Sequence, residues 1–157
     1  MLSWLASRLI AHNMRKMSEG DPGPTVRMYA EDVRFSFPGN NSWAGEIEGK
    51  ESLERWLRRF IDVGIQIRPE DVVMQGWPWR QTICVRGITH LDAPGGERVY
   101  ENRYVIWGHL AWGKMRAYEV YEDSEKATAL DGYLESIGKL ERRPSDGVSE
   151  QQLDPSA

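Results

Sequence analysis

Residues 101–123, ENRYVIWGHLAWGKMRAYEVYED, read as two β-strands joined by a tight turn, and the rest of the chain is organised around this hairpin. Tyr104, Ile106 and Leu110 bring apolar and aromatic strand formers to the first arm; Met115, Ala117, Val120 and Tyr121 bring them to the second. Gly113-Lys114 marks the turn, because glycine accepts positive φ without a Cβ clash. The second arm runs into an acidic knot of Glu119, Glu122, Asp123 and Glu125, ahead of a short helix expected over 124–137.

Working outward, the hairpin's first arm, 98–108, has a partner strand at 81–92 across a turn at 93–97. That turn pairs Arg86 with Tyr104 and Ile88 with Asn102, and sets both pairs and His90 on one face. Before it lie a strand at 65–75, bent or at an edge because of Pro69, and a turn at 76–79 with two tryptophans. Residues 50–63 form an amphipathic helix: Leu53, Trp56, Leu57, Phe60 and Ile61 recur at helical spacing, while Glu54, Arg55, Arg58 and Arg59 face water. Val33, Phe35 and Phe37 alternate in a strand at 33–37, with a short edge strand at 44–48. The chain opens with a helix whose apolar face holds Leu2, Leu5, Ala6, Leu9, Ile10, Met14 and Met17, with Asn13 among them. A short helix at 24–29 follows, with Asp21 as its cap. From Gly138 the chain is charged, contains Pro144 and Pro155 and has no aromatic residue, so 138–157 read as a disordered tail. Residues 1–137 make one α+β domain in which helices come first and a bent sheet follows.

Composition narrows the classes. At 157 residues with 40% hydrophobic and 28% charged content the chain fits one ordinary globular core. A net charge of −4 with interspersed signs offers no basic face for nucleic acid. No apolar run reaches the roughly 20 residues that cross a bilayer, so no membrane partner is expected. A single cysteine, Cys84, cannot close an internal disulfide, which favours the cytoplasm. His12, His90 and His109 are not spaced as metal ligands, so no metal or cofactor is expected.

Several short pieces in order resemble the SnoaL-like branch of the NTF2-like superfamily. They are Tyr29-Ala30-Glu31-Asp32-Val33, Phe37-Pro38-Gly39, Ala44-Gly45, Gly49-Lys50-Glu51, Asn102-Arg103-Tyr104-Val105, Gly113-Lys114-Met115 and the run from Glu119 to Asp123. The resemblance covers residues 1–137. It implies a cone, with N-terminal helices packed in the concavity of a bent mixed or antiparallel sheet around an apolar pocket. It implies no single activity, since this fold carries isomerases, hydrolases, cyclases and plain binding proteins. It also implies a homodimer through the convex sheet face.

Relatives of known chemistry show what is missing. Ketosteroid isomerase uses a carboxylate base and an oxyanion hole of a tyrosine and a protonated acid; those positions fall on Phe37, Asn13 and Val105. The carboxylates of limonene epoxide hydrolase fall on Val120 and Ile88, and its water-holding tyrosine and asparagine on Phe35 and Phe37. Its arginine alone has a counterpart, Arg86. The catalytic candidates left are Arg86, His90, Tyr104 and Glu122, with Arg86 expected to pair with Glu122 or to bind a ligand carboxylate. The expected pocket comprises Asn13, Phe35, Phe37, Trp43, Trp56, Phe60, Arg86, Ile88, Asn102, Tyr104, Tyr118, Val120 and Glu122. Of the seven tryptophans, Trp56 is expected in the core, Trp43, Trp77 and Trp79 in loops at the cavity mouth, and Trp107 and Trp112 beside the central hairpin. The leading expectation is a pocket for a small apolar ligand. The alternatives are a cofactor-independent isomerase, cyclase or hydrolase with relocated acid–base groups, or an interaction module using the sheet face.

Overall fold

A computed structural model describes residues 2–141. In chain order the elements are α1 (Leu2–Ser18), α2 (Gly23–Arg27), β1 (Tyr29–Phe37), β2 (Gly45–Glu48), α3 (Lys50–Val63), β3 (Gln66–Trp77), β4 (Arg80–Asp92), β5 (Arg98–Ala111), β6 (Lys114–Glu122) and α4 (Ser124–Ser136). The six strands form one open, mixed sheet in the order β2-β1-β6-β5-β4-β3. The neighbours β1 and β6 run parallel and all other neighbours antiparallel. The fold is α+β with the helices on one face of the sheet, as the sequence implied.

Local chemistry accounts for the element ends. In α3, Leu53, Leu57, Phe60 and Val63 are buried. Gly64 ends that helix at φ 94°, a left-handed conformation that only glycine adopts without strain, and its N–H turns back to Ile61 and Phe60 carbonyls. Asp123 caps α4, its carboxylate accepting from the Glu125 and Lys126 amides. Asp21 accepts from the Gly23 amide at 2.9 Å, one position ahead of the formal cap of α2. The central hairpin turns on Trp112-Gly113, with Ala111 paired to Lys114, one residue earlier than Gly113-Lys114. Both turn residues have positive φ, 53° and 74°, which matches the twist of the arms.

Two expectations are corrected. On α1 the buried residues are Ala6, Ile10, Asn13, Met14 and Met17. Leu5 and Leu9 are exposed, because that stripe centres about a quarter-turn away from them. The larger correction concerns strand register. Asp92 pairs with Arg98, but Leu91 pairs with Tyr100, so Val99 is an extra residue in β5. This bulge shifts every later pair by one. Arg86 lies opposite Val105 and Ile88 opposite Arg103, while Gly87 faces Tyr104 and Thr89 faces Asn102. A one-residue shift reverses the face. The buried face of β4 is therefore Ile83, Val85, Gly87, Thr89 and Leu91, and Arg86, Ile88 and His90 point the other way. The disordered tail expected over 138–157 lies mostly outside the described residues. Within its first four, Leu140 packs against the core and Glu141 lies 3.5 Å from Arg59.

The register leaves a mark at Gly87. A Cβ there would meet the Arg68 carbonyl oxygen at 2.3 Å and the Tyr104 hydroxyl at 2.5 Å. Gly87→Ala should therefore destabilise the protein by roughly 1–3 kcal/mol in urea unfolding. Adding Tyr104→Phe should not restore the loss, since the backbone carbonyl cannot retreat as a side chain can.

Candidate functional site

Between the concave sheet face and helices α1, α2 and α3 lies a cavity of about 110 Å³. Its wall is nearly all apolar: Phe35, Phe37, Trp56 and Phe60 on one side, and Met14, Met17, Met28 and Met115 among the residues that complete it. The aromatic side is mutually packed. Phe35 stands 4.8 Å from both the Trp56 and Tyr118 rings, and Trp56 stacks on Phe60 at 6.0 Å. Those rings come from β1, α3 and β6, so their packing also ties the long helix to the sheet.

Few polar groups reach this space. Tyr29 and Tyr118 share a 2.8 Å hydrogen bond between their hydroxyls, and burial pushes both phenols up. Tyr104 donates to Met14 Sδ at 3.3 Å, and burial, then the Glu70 charge, holds its phenol up as well. Asn13 Nδ2 donates to Met28 Sδ at 2.7 Å. Thr25 Oγ1 is buried with no hydrogen-bond partner. Thr89 Oγ1 neighbours the Tyr100 hydroxyl closely enough to influence its proton, yet makes no hydrogen bond of proper geometry.

Among the described residues, Glu122, the last residue of β6, supplies the one carboxylate in the wall, and no lysine, arginine or histidine lines it. Burial pushes its carboxyl up to about 7; the Tyr100 hydroxyl, 3.4 Å from each oxygen, pulls against that, and Asp123 adds to the rise. Behind it Asn102 donates to the Tyr100 hydroxyl at 3.2 Å and to the Asp123 carbonyl at 2.9 Å. Glu122 and Asn102 also line a shallow polar groove with Glu101, Arg103, Tyr121, Asp123 and Lys126. The carboxyl thus stands where the apolar cavity meets a polar surface, an arrangement that permits proton exchange between a bound molecule and water.

The structure brings Asn13, Phe35, Phe37, Trp56, Phe60, Tyr104, Tyr118, Val120 and Glu122 together around the cavity. It does not bring the others. Arg86 pairs with Asp71 on the exposed face instead of with Glu122, because the Val99 bulge turns it outward. Ile88 and His90 follow it for the same reason, which removes His90 as a base for this cavity. Val105, on the register derived from the isomerase, faces outward too. Asn102 is buried but braces Tyr100 and Asp123 behind the wall. Trp43 is buried rather than at the mouth: its carbonyl accepts from Trp56 Nε1 at 3.2 Å and its ring lies 3.9 Å under the Arg59 guanidinium. Trp77 and Trp79 stack on each other away from the cavity. Sequence reasoning missed Tyr29, Tyr100, Thr25, Thr89 and the cavity role of Met28 and Met115. Tyr100 was legible, since it shares strand parity with Asn102 and Tyr104; Thr89 was hidden by the bulge. Among the described residues no group of histidine, cysteine and carboxylate side chains is arranged to hold a metal.

No protein-family profile matches the chain, and no curated protein does. Solved structures do. An NTF2-like protein from Burkholderia xenovorans LB400 is 22% identical, with 77% of this chain and 91% of that one covered at a TM-score of 0.59. PrhC from Penicillium brasilianum is 13% identical, covering 85% and 90% at a TM-score of 0.67. SalBIII, an epoxide hydrolase/cyclase-like enzyme of pyran ring formation in salinomycin, is 18% identical, covering 76% and 92% at 0.59. The open six-stranded mixed sheet, the N-terminal helix in its concavity and these likenesses agree: the chain has the NTF2-like cone fold.

Proposed function

We propose that the cavity binds a small, compact hydrophobic molecule carrying at least one hydrogen-bonding oxygen. The observation that carries this reading is an apolar, aromatic-lined space of about 110 Å³ whose wall contains two buried hydroxyls, Thr25 and Thr89, without hydrogen-bond partners. Buried polar groups are ordinarily satisfied, and a ligand oxygen would satisfy one of them. Size sets the class. A cavity on the order of 150 Å³ accepts a single benzene ring, so the unaltered space of about 110 Å³ is no roomier than one small ring, and a one-ring terpenoid or alkylphenol already counts among the larger ligands. Larger ligands require the unbranched, adaptable methionines to move.

Thermal shift is the test. One-ring oxygenated terpenoids and alkylphenols at about 100 times their Kd should raise the melting temperature by roughly 5–10 °C. Val120→Trp should fill the space and abolish the shift while the protein stays folded by circular dichroism. No shift with any member of the panel, or an undiminished shift in Val120→Trp, would sink the reading.

A second reading is favoured by Glu122: a cofactor-independent isomerase, cyclase or hydrolase in which this carboxyl moves the proton. A carboxyl poised near 7 at neutral pH is suited to both accept and donate. The epoxide hydrolase/cyclase-like SalBIII, of similar fold, is consistent with it. Glu122→Gln should then lower turnover of a ligand found above by on the order of 100-fold or more without weakening its binding. Stability reports on the same carboxyl. Glu122 binds its proton near 7 when folded and near its ordinary value of 4.5 when unfolded. The folded state then holds the extra proton between those values, so its contribution is greatest at the acidic end and is lost as pH rises through about 7. Relative to wild type, Glu122→Gln should gain stability between about pH 5 and about pH 8 in thermal melts; a constant difference across that range would contradict the raised carboxyl.

The outer sheet face, with Val73 and Trp107 exposed, supports a homodimer of two such faces. Trp107→Glu should convert the dimer to monomer by light scattering. The single, half-buried Cys84 suits a cytoplasmic setting.

A further inference from the structure

Three tryptophans that the cavity does not use are gathered at one end of the sheet. Trp77 and Trp79 come from the β3–β4 turn and Trp112 from the β5–β6 turn. Trp77 and Trp79 stack at 5.5 Å with planes 8° apart, and Trp79 meets Trp112 at 6.2 Å. The backbone locks the two turns together, the Trp112 amide donating to the Pro78 carbonyl at 2.7 Å. Packing does not hide the rings: Trp77 is 69% exposed, Trp79 54% and Trp112 71%. Trp112 keeps a positive φ of 53°, uncommon for a bulky residue. A turn that needed only to reverse the chain would fit glycine or asparagine better.

Charge is segregated to the same end. Arg80 follows Trp79 directly, and Lys114 follows the Trp112-Gly113 turn, where its Nζ donates to the Arg27 carbonyl at 2.6 Å. The two turns and the strand ends that flank them, 72–85 and 106–118, contain no aspartate or glutamate, and neither does the adjoining 22–30, although the whole chain has 24 such residues and a net charge of −4. Of the acids just outside these segments, Asp32 is paired with Arg116 at 2.9 Å, and Asp21 lies on the Arg27 side, its Oδ1 and the Arg27 guanidinium both flanking Gly23. Helix α1 adds to the pattern. Its Ser18 bonds to Ile67 at the start of β3, and its Met14 takes the hydroxyl of Tyr104, which faces Gly87 opposite Pro69. The helix therefore runs back along β3 toward the Trp77 end. On it Trp4 is 59% exposed under the Arg8 guanidinium, with exposed Leu5 and Leu9 nearby in sequence and no acidic residue in 2–18.

We propose that this end of the molecule docks on the surface of an anionic lipid bilayer, with Trp77, Trp79 and Trp112 in the headgroup layer and Arg27, Arg80 and Lys114 against lipid phosphates. Tryptophan has an apolar body and a polar N–H, which suits it to the interface between hydrocarbon and water. Basic side chains beside it are drawn to anionic lipid over a Debye length. An acidic protein carrying a locally basic, aromatic tip has the complementary sign there. The docking needs no spanning segment, and no helix among the described residues is long and apolar enough to cross a membrane. It is also independent of what the cavity binds.

The test is flotation of the full chain with vesicles of phosphatidylcholine alone and of phosphatidylcholine with phosphatidylglycerol. Binding should appear with the anionic vesicles, be weaker by roughly tenfold or more with neutral ones, and fall as salt is raised. Trp77→Ser with Trp79→Ser and Trp112→Asn, the asparagine keeping the positive φ, should reduce it roughly tenfold or more. Arg80→Glu, which leaves the rings in place, should reduce it roughly fivefold or more. Melting temperature and light scattering of each variant accompany the flotation. The proposal is overturned if wild type ignores anionic vesicles at low salt, binds neutral ones equally well, or binds as tightly after the three tryptophans are replaced. It is also overturned if wild type floats with neither vesicle but self-associates or captures a polyglutamate peptide through the tip, because the occupant is then a second copy or an acidic protein segment.

Discussion

Val99 is one residue more than β4 can pair with, and the site depends on that surplus. Without the bulge, β5 would meet β4 in a register that sets Arg86 against Tyr104, in the cavity wall, and Ile88 against Asn102, behind it. With it, Gly87 lies under Tyr104 and Thr89 beside Asn102. The close approach at Gly87, where no Cβ fits, lets the Tyr104 ring cross the strand and reach Met14 on α1. One contact thereby joins sheet, register and first helix. The cost of turning a β-strand by one residue is that every side chain changes face, so this local irregularity decides which polar groups face the cavity.

What remains inside is chemically sparse, and that sparseness gives Glu122 its character. In water a glutamate is ionised at neutral pH. Here the neighbours that could hold its charge are a tyrosine hydroxyl at 3.4 Å and, unfavourably, a second acid next in sequence. Desolvation wins over the hydrogen bond, and the carboxyl holds its proton up to about 7. The phenols of Tyr29, Tyr104 and Tyr118 are pushed the same way by burial, so they act as neutral donors and not as bases. In the proposed readings binding and proton transfer would both use this wall: the rings and methionines would hold a compact apolar body, with one edge at a titrating group beside a wet groove.

The two ends of the sheet divide the labour. Glu122 ends β6, beside the Asp123 cap of α4, with Tyr100 and Asn102 close by. The tryptophan-bearing turns lie at the start of β6 and the end of β3. The groups that would touch a ligand and those that would touch a surface are thus carried by the same strands at opposite ends, one set buried and the other exposed. The aromatic residues split accordingly, Phe35, Phe37, Trp56 and Phe60 building the cavity wall while Trp77, Trp79 and Trp112 are left to solvent.

The sequence by itself determined the elements. The spacing of Leu53, Leu57 and Phe60 gave α3 its residues 50–63, alternation at Val33, Phe35 and Phe37 gave β1 its inward face, and positive-φ residues marked the turns. Those signals are local, set by 3.6- and 2-residue periods that a chain carries wherever it folds. They also placed Glu122 and Val120 on one side of β6, and the resemblance set Phe37 at the position of the isomerase's catalytic base. Tertiary structure alone decided the faces of β4, because nothing in 93–99 distinguishes a five-residue turn from a turn followed by a bulge. It alone decided that Arg86 pairs with Asp71, that Trp43 is buried under Arg59, and that Leu5 and Leu9 lie outside the packed stripe of α1. It also raised the Glu122 carboxyl to about 7, since burial by residues as distant in sequence as Tyr100 has no local signature. Periodicity fixes what an element is; register and packing between elements, which couple residues far apart in the chain, fix what it faces.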